Sequence, residues 1–443
     1  MAKIHAIGGY SEVGRNMTVV ETKDDAFIFD CGIYLTPIVE IEENEHIYHE
    51  RGLRAIGAIP DDYVLDKLNL RKKVRAILPN HAHLDHIGAI PYIGYGYKAP
   101  VISTPYTIEV LKALCRDAEI KLPNKLEVVK PNTSFKIGKY KVEFINATHS
   151  TLHTVMIALH TPEGVIVYAN DWKFDDTPVI GLPPNYKRLK ELGERKEVLA
   201  LIVDSLYSKY DRKTPSEKIA KDMLEEVLTK TSNEKCGIIV TTFSSQIARI
   251  KSIIEFGKRI GRKVLIVGRS MGKYIGAANE INLAPFTKNI EIVTYRNQIK
   301  RRLKQISKEK EKWLVLCTGN QGEPGSILTR IASGDLPYDL KQGDQVIFSS
   351  KTIPTAITIA NREKLEKSLK FKGARIFTDV HTSGHCSRED IRELINLLKP
   401  KHVIPSHGDI ARLTPAAELG KEMGYQLGKN IHLMQNGESV ELN

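Results

Sequence analysis

The amino-acid sequence predicts a layered α/β fold with a second α/β unit inserted before its last strands. Three observations predict it. Short apolar strands alternate with helical segments along most of the chain, and the strands of the first half end in polar or charged residues. Histidines and acids with metal-ligand chemistry also recur on both sides of a second run of strands.

In chain order, AFIFDCG (26–32), VRAILPNH (74–81), GVIVYAND (164–171) and VLALIVDS (198–205) read as buried strands. Layered α–β folds present functional groups at such strand ends and in the loops that follow them. TPSEKIAKDMLEEVLTK (214–230) reads as a helix with a capping box from Thr214 to Glu217 and Pro215 in its first turn. Beyond it, KCGIIVTTF, KVLIVG, WLVLCTG and QVIFSS are strands spaced by helices, the pattern of a second, parallel unit. The expected division is residues 1–210, 211–372 and 373–443, the outer two forming one domain and the middle one its insert. The first crossing lies in KYDRKTPSE (209–217) and the return near KFKGARIF (370–377).

A chain of 443 residues is long for one domain, and its 42% hydrophobic and 27% charged residues exclude low-complexity disorder and collagen-like repeats. With 65 basic and 53 acidic residues the net charge is +12, which favours polyanionic partners, nucleic acid first. The five cysteines (Cys31, Cys115, Cys236, Cys317, Cys386) form no CxxC pair. That argues against a disulfide framework or a thiolate zinc site and makes a reducing cytosol the natural compartment. The N-terminus MAKIHAIGGYSEVGRN lacks the apolar core of a signal peptide, and no apolar run is long enough to span a bilayer. A cytoplasmic chain with no membrane partner is expected.

Three of the 14 histidines fall in His81-Ala82-His83-Leu84-Asp85-His86, directly after the strand VRAILPN. In extended backbone, His81 and His83 point the same way, while Asp85 and His86 enter a helix and can face a second ion. Imidazole with carboxylate suits zinc or a similar divalent cation. Four ligands from one segment cannot close two metal shells. The candidates for the remainder also lie at strand ends: His149 in FINATHS, Asp171 in VIVYAND and His407 in HVIPSHGD. Asp171 is the natural bridge, because one carboxylate can ligate two cations. Two adjacent cations suit phosphodiester hydrolysis.

HAHLDH followed by single His, Asp and His ligands resembles the metallo-β-lactamase fold, an αββα sandwich. The remaining order is similar to its nucleic-acid branch, the β-CASP group, in which a second α/β domain is inserted. Asp204 in LIVDS, His385 in HTSGHCS and His407 in IPSHGD match that branch's three further motifs. Within the group the chain resembles ribonuclease J of the archaeal type, on blocks spread over nearly its whole length. These include GGYSEVGRNM (8–17), AIPDDYVL (58–65), HAHLDHIGAIPYI (81–93), ANDWKFD (169–175), VTTFSSQIARI (240–250), VGRSMGK (267–273), TGNQGEPGS (318–326), SSKTIP (349–354), HTSGHCS (381–387) and PSHGD (405–409). Three departures accompany the resemblance. Only 36 residues follow His407, Lys351 stands where the family usually has arginine, and Asp409 stands where glutamate is more usual.

The resemblance implies a zinc-dependent 5′-to-3′ exoribonuclease with two Zn²⁺ per chain. His81, His83 and His149 would hold one ion, and Asp85, His86 and His407 the other, bridged by Asp171. His385, Asp204 and Asp85 form the implied catalytic set: His385 contacts the scissile phosphate and protonates the leaving oxygen, and Asp204 orients it. The expected substrate-binding stretch is His381, Thr382, Ser383, Gly384 and His385, with Gly384 allowing close approach to a phosphate. Ser244, Ser245 and Lys351 are further candidates, although TTFSSQ equally suits ordinary helix capping. The segment 295–312 carries eight basic and two acidic residues, which fits either RNA guidance or a solvated helix face. Single-stranded RNA is the expected substrate and a second copy of the chain, in a homodimer, the expected protein partner. An endoribonuclease and a β-CASP DNA nuclease use the same metal chemistry and stand as alternatives.

Overall fold

Alternating buried residues pack two sheets face to face in the first of two units, which comprises Met1–Asp176, Gly181–Thr214 and Gly384–Asn443. The structure, a computed structural model, describes residues 2–41 and 47–442. One sheet has seven strands: β1 (Ala2–Gly8), β2 (Met17–Glu21), β3 (Ala26–Phe29), β4 (Val74–Leu78), β5 (Val101–Ser103), β6 (Leu126–Val128) and β19 (Ser439–Leu442), in the order β19-β1-β2-β3-β4-β5-β6. The other has six: β7 (Thr133–Ile137), β8 (Tyr140–Asn146), β9 (Val155–Thr161), β10 (Gly164–Ala169), β11 (Val198–Asp204) and β18 (His402–Ser406), in the order β18-β11-β10-β9-β8-β7.

Phe27, Phe29 and Leu78 from the first sheet meet Phe144, Ile157, Ile166 and Ile202 from the second in a shared core. The other face of the second sheet buries Val167, Leu201 and Val203 against Leu189 and Leu192 of the helix Tyr186–Glu194 and Ile391, Leu394 and Ile395 of the helix Arg388–Leu398. The helix Pro105–Asp117 lies along β5 and β6. This is the expected helix–sheet–sheet–helix sandwich.

Parallel pairing decides where the chemistry gathers. β10 runs parallel to β11 and β11 to β18, with Asp204 opposite Ser406, so Asp171, Asp204 and His407 emerge from neighbouring ends. β8 runs antiparallel to β9, and β9 to β10, which brings the end of β8 and the following His149 to the same edge. β3 and β4 are parallel in the facing sheet and deliver Asp30 and the HAHLDH segment there. Asp30, Asp171 and His407 each take a left-handed backbone, with φ of 59°, 51° and 62°. Such conformations cost about 1–3 kcal/mol for residues other than glycine and cluster at functional sites.

The second unit comprises Thr177–Ile180 and Pro215–Ser383. Its sheet contains β12 (Ile238–Thr241), β13 (Lys263–Val267), β14 (Glu291–Val293), β15 (Trp313–Cys317), β16 (Gln345–Phe348) and β17 (Arg375–Phe377), in the order β14-β13-β15-β12-β16-β17. Every pairing is parallel, as the spacing of strands and helices predicts. The helix predicted from Thr214 starts later, at Glu217, with Ser216 as its N-cap accepting from the Lys218 amide. The Thr214 amide, which a Thr214–Glu217 capping box would commit to Glu217, donates to Asp390 Oδ2 at 2.9 Å. Glu217 instead pairs with the buried Arg249, and Thr214 donates its hydroxyl to the His385 carbonyl. All five cysteines are free thiols, as expected.

Candidate metal centre

The loop after β4 carries His81 and His83, and a short helix, Leu84–Ile87, carries Asp85 and His86. Gly32 makes this possible: a Cβ there would lie 1.6 Å from the Asp85 carbonyl oxygen. His81 Nε2 lies 3.1 Å from His83 Nδ1, and His149 Nε2 lies 3.0 Å from the same His83 atom. Asp171 Oδ2 sits 3.6 Å from His81 Nε2, 3.4 Å from His149 Nε2 and 3.3 Å from His86 Nε2. Asp171 Oδ1 lies 3.6 Å from His407 Nε2, while Asp85 Oδ2 is 3.4 Å from His86 Nε2 and 4.0 Å from His407 Nε2.

The ligand atoms fall into groups able to hold a cation: His81, His83, His149 and Asp171 in one, and Asp85, His86 and His407 in another. Asp171, His385 and His407 also converge as a third such group. All seven side chains expected as ligands are therefore brought together.

The donor chemistry fits a cation. Four of the rings are held from behind by an acceptor on one nitrogen, which turns the other toward the cluster. His81 Nδ1 donates to Asn80 Oδ1 at 2.7 Å, His86 Nδ1 to Asp30 Oδ2 at 2.7 Å, His149 Nδ1 to the Gly384 carbonyl at 2.7 Å and His407 Nδ1 to Asn16 Oδ1 at 3.0 Å. Asp171 Oδ1 is buried and, among the described residues, accepts no hydrogen bond, an arrangement that a cation would relieve.

The electrostatics divide the histidines. Burial, with the neighbouring His86, holds His81 well below the ordinary histidine range. Burial brings His83 to about 4 and, together with His83, keeps His149 well below its usual value. Burial also acts on His86, but Asp171, Asp30 and Asp85 outweigh it and raise its pKa. Asp85 and Asp171 remain carboxylates, since burial is overcome by His86 at the first and by His407 and His86 at the second. His385 Nδ1 lies 2.8 Å from Asp204 Oδ2 and 3.8 Å from Asp171 Oδ2. These carboxylates prevail over burial and push His385 up to about 9.

Three family models cover most of the chain. Residues 10–178 match the metallo-β-lactamase superfamily, 235–364 the β-CASP domain of ribonuclease J, and 373–434 the RNA specificity domain of Zn-dependent metallo-hydrolases. Ribonuclease J of Methanocaldococcus jannaschii is 43% identical over 443 residues, covering 99% of this chain and 98% of that one. The chain belongs to the ribonuclease J family. Ribonuclease J of Pyrococcus abyssi is 41% identical, covering 100% of this chain and 97% of its own. A crystal structure of a protein of unknown function from Enterococcus faecalis V583 superposes with a TM-score of 0.67 at 18% identity over all of both chains, a likeness of fold.

Other family positions fall in different surroundings. Gly384 and His385 belong to the first unit; His381, Thr382 and Ser383 belong to the second, as do Ser244, Ser245 and Lys351. Within the second unit, parallel strands bring three expected loops together. Thr242 donates its hydroxyl to the Ser349 carbonyl at 2.8 Å, and Gln321 donates its amide to the Lys351 carbonyl at 3.0 Å. Ser244 and Ser270 hydroxyls are 2.8 Å apart, and the buried Ser350 and Thr382 hydroxyls have no hydrogen-bond partner among the described residues. The Lys351 side chain is exposed.

Sequence reasoning missed the acceptors behind the metal ligands. Asp30 also accepts from the Tyr168 hydroxyl at 2.7 Å and the Asn80 amide at 2.9 Å, while Asn16 bridges His407 and Asn170. The available signal was position alone: Asp30 ends the strand AFIFD, and Asn80 directly precedes His81.

Proposed function

We propose that this ribonuclease degrades single-stranded RNA from its 5′ end using two zinc ions. His81, His83 and His149 would hold one ion and Asp85, His86 and His407 the other, with Asp171 placed to serve both. The carrying observation is that His81 and His149 of one ligand group and His86 and His407 of the other all lie within 3.6 Å of the buried Asp171 carboxylate. When bound, such a pair lowers the pKa of water and neutralises charge on the phosphate.

The chain's own groups supply the proton transfers. Asp85, kept ionised, accepts the proton given up by the attacking water. Asp204 engages His385 Nδ1, so Nε2 is the ring atom left to carry a proton to the departing oxygen. Its raised pKa keeps that proton in place at neutral pH. In the second unit, the hydroxyls and amides of TTFSSQ, TGNQGEPGS and SSKTIP lie at the carboxyl ends of adjacent parallel strands, where open α/β sheets bind ligands. There, with His381, Thr382 and Ser383, they bind the 5′-terminal phosphate and set polarity.

The test uses one RNA with mono- or triphosphate 5′ ends, a circular RNA of the same sequence, and the DNA equivalent. Mononucleotide release from the linear monophosphate RNA is expected, with the circle intact. Early linear fragments from the circle would establish an endoribonuclease, and equal cleavage of DNA a general β-CASP nuclease.

A further inference from the structure

The helix Arg296–Ile306 follows the edge strand β14 of the second unit and contains no acidic residue. Ile299, Leu303 and Ile306 bury one side against the core. Arg302 fastens the helix: its guanidinium pairs with both oxygens of Glu291, at 2.6 and 2.8 Å, and stacks on Trp313 with 4.6 Å to the ring centre. The other cations of the helix, Arg296, Lys300, Arg301 and Lys304, and Lys308 just beyond it are exposed and, among the described residues, have no carboxylate partner, whereas Lys310 and Lys312 pair with Asp344 and Glu309.

An ordinary solvated face does not explain this arrangement. In other helices, Arg54, Arg362 and Arg392 are each matched one turn away, by Glu50, Glu366 and Glu389. Here Arg296, Lys300 and Lys304 follow one another at i, i+4, a spacing at which like charges repel. Arg296 also stands at the positive end of the helix dipole, again unfavourable. A row of cations left unneutralised on an anchored helix is matched by a polyanion. Directly before Arg296, Tyr295 is 72% exposed and offers a ring on which an unpaired base can stack.

We infer that Tyr295 and the cationic face of the helix Arg296–Ile306 form a second RNA-binding surface, which grips the phosphates of a single strand without reading its sequence. The inference rests on the ribonuclease activity of the chain. The surface adds affinity for long substrates and takes no part in bond cleavage.

The test compares the wild-type chain with Lys300→Gln/Arg301→Gln/Lys304→Gln on a single-stranded 30-nucleotide RNA. Glutamine preserves helix propensity, so the fold is retained. Each phosphate contact contributes about 0.7 to the salt slope of single-strand binding. Three lost contacts lower that slope by about 2 and weaken binding at 0.1 M salt by about 10²-fold. KM rises accordingly and kcat is unchanged. A control, Lys364→Gln/Lys367→Gln/Lys370→Gln, removes the same net charge from another helix of the unit and shows a much smaller effect. Equal losses in both triple variants, or an unchanged salt slope in the first, would overturn the inference. A wild-type chain that cleaves no RNA would instead overturn the activity on which it rests.

Discussion

Gly384 ties the second histidine motif to the metal centre, and replacing it with alanine tests the site's geometry. An added Cβ would lie 2.8 Å from His149 Nδ1, 2.9 Å from His149 Cε1 and 2.9 Å from the Ser150 amide. Ordinary carbon contacts lie at about 3.5–4.0 Å, so the His149 ring must retreat by roughly 0.6 Å or more. It has little room, because the rings of His81, His83 and His385 stand 4.8–4.9 Å from it. Overpacking of this kind costs about 1–3 kcal/mol. Disturbing the His149–Gly384 hydrogen bond lowers metal affinity by about 10–100-fold, the effect of losing a partner behind a ligand. Gly384 does not occupy the left-handed region, so the effect is purely steric. Competition with a chromophoric chelator measures the affinity. Gly276→Ala, at a helical glycine whose added Cβ meets nothing within 4 Å, serves as the control. Wild-type affinity in Gly384→Ala would refute the reasoning, as would an equal loss in the control.

Three other predictions concern separate groups. His385→Ala retains its metals and loses cleavage by about 10²–10⁴-fold, the range for a general acid; loss of metal in elemental analysis would instead make His385 a ligand alongside Asp171 and His407. Asp171→Ala loses both ions, because its oxygens serve both ligand groups, and retention of one full equivalent would exclude the bridge. His432, whose Nε2 lies 3.0 Å from His402 Nδ1, is lowered to about 4 by burial and then by His402. Its contribution to stability is complete above about 6.5, the unfolded value, and is lost as pH falls toward 4, because the unfolded chain then binds the extra proton. Melting temperatures of His432→Gln should therefore fall less between pH 7 and 4.5 than those of the wild type; identical curves would rule this out.

The sequence by itself determined the ligand set and the alternation of strands and helices. Metal binding demands particular side chains, and HAHLDH places four of them within six residues, while His149, Asp171 and His407 stand out because each closes an apolar strand. Only the tertiary structure decided which atoms stand behind those ligands. Asn16, Asp30 and Asn80 are common residue types whose roles come from hydrogen bonds formed across the fold, 391 positions apart between Asn16 and His407. Gly384 is similar: its need for a missing side chain arises from a ring 235 positions away. The start of the helix at Glu217 was also a tertiary decision, because the buried Arg249 claims the carboxylate that a local capping box would have used. Periodicity and ligand chemistry are properties of neighbouring residues and can be read along the chain. Close approach and hydrogen-bond partnership between distant segments exist only once the sheets have packed.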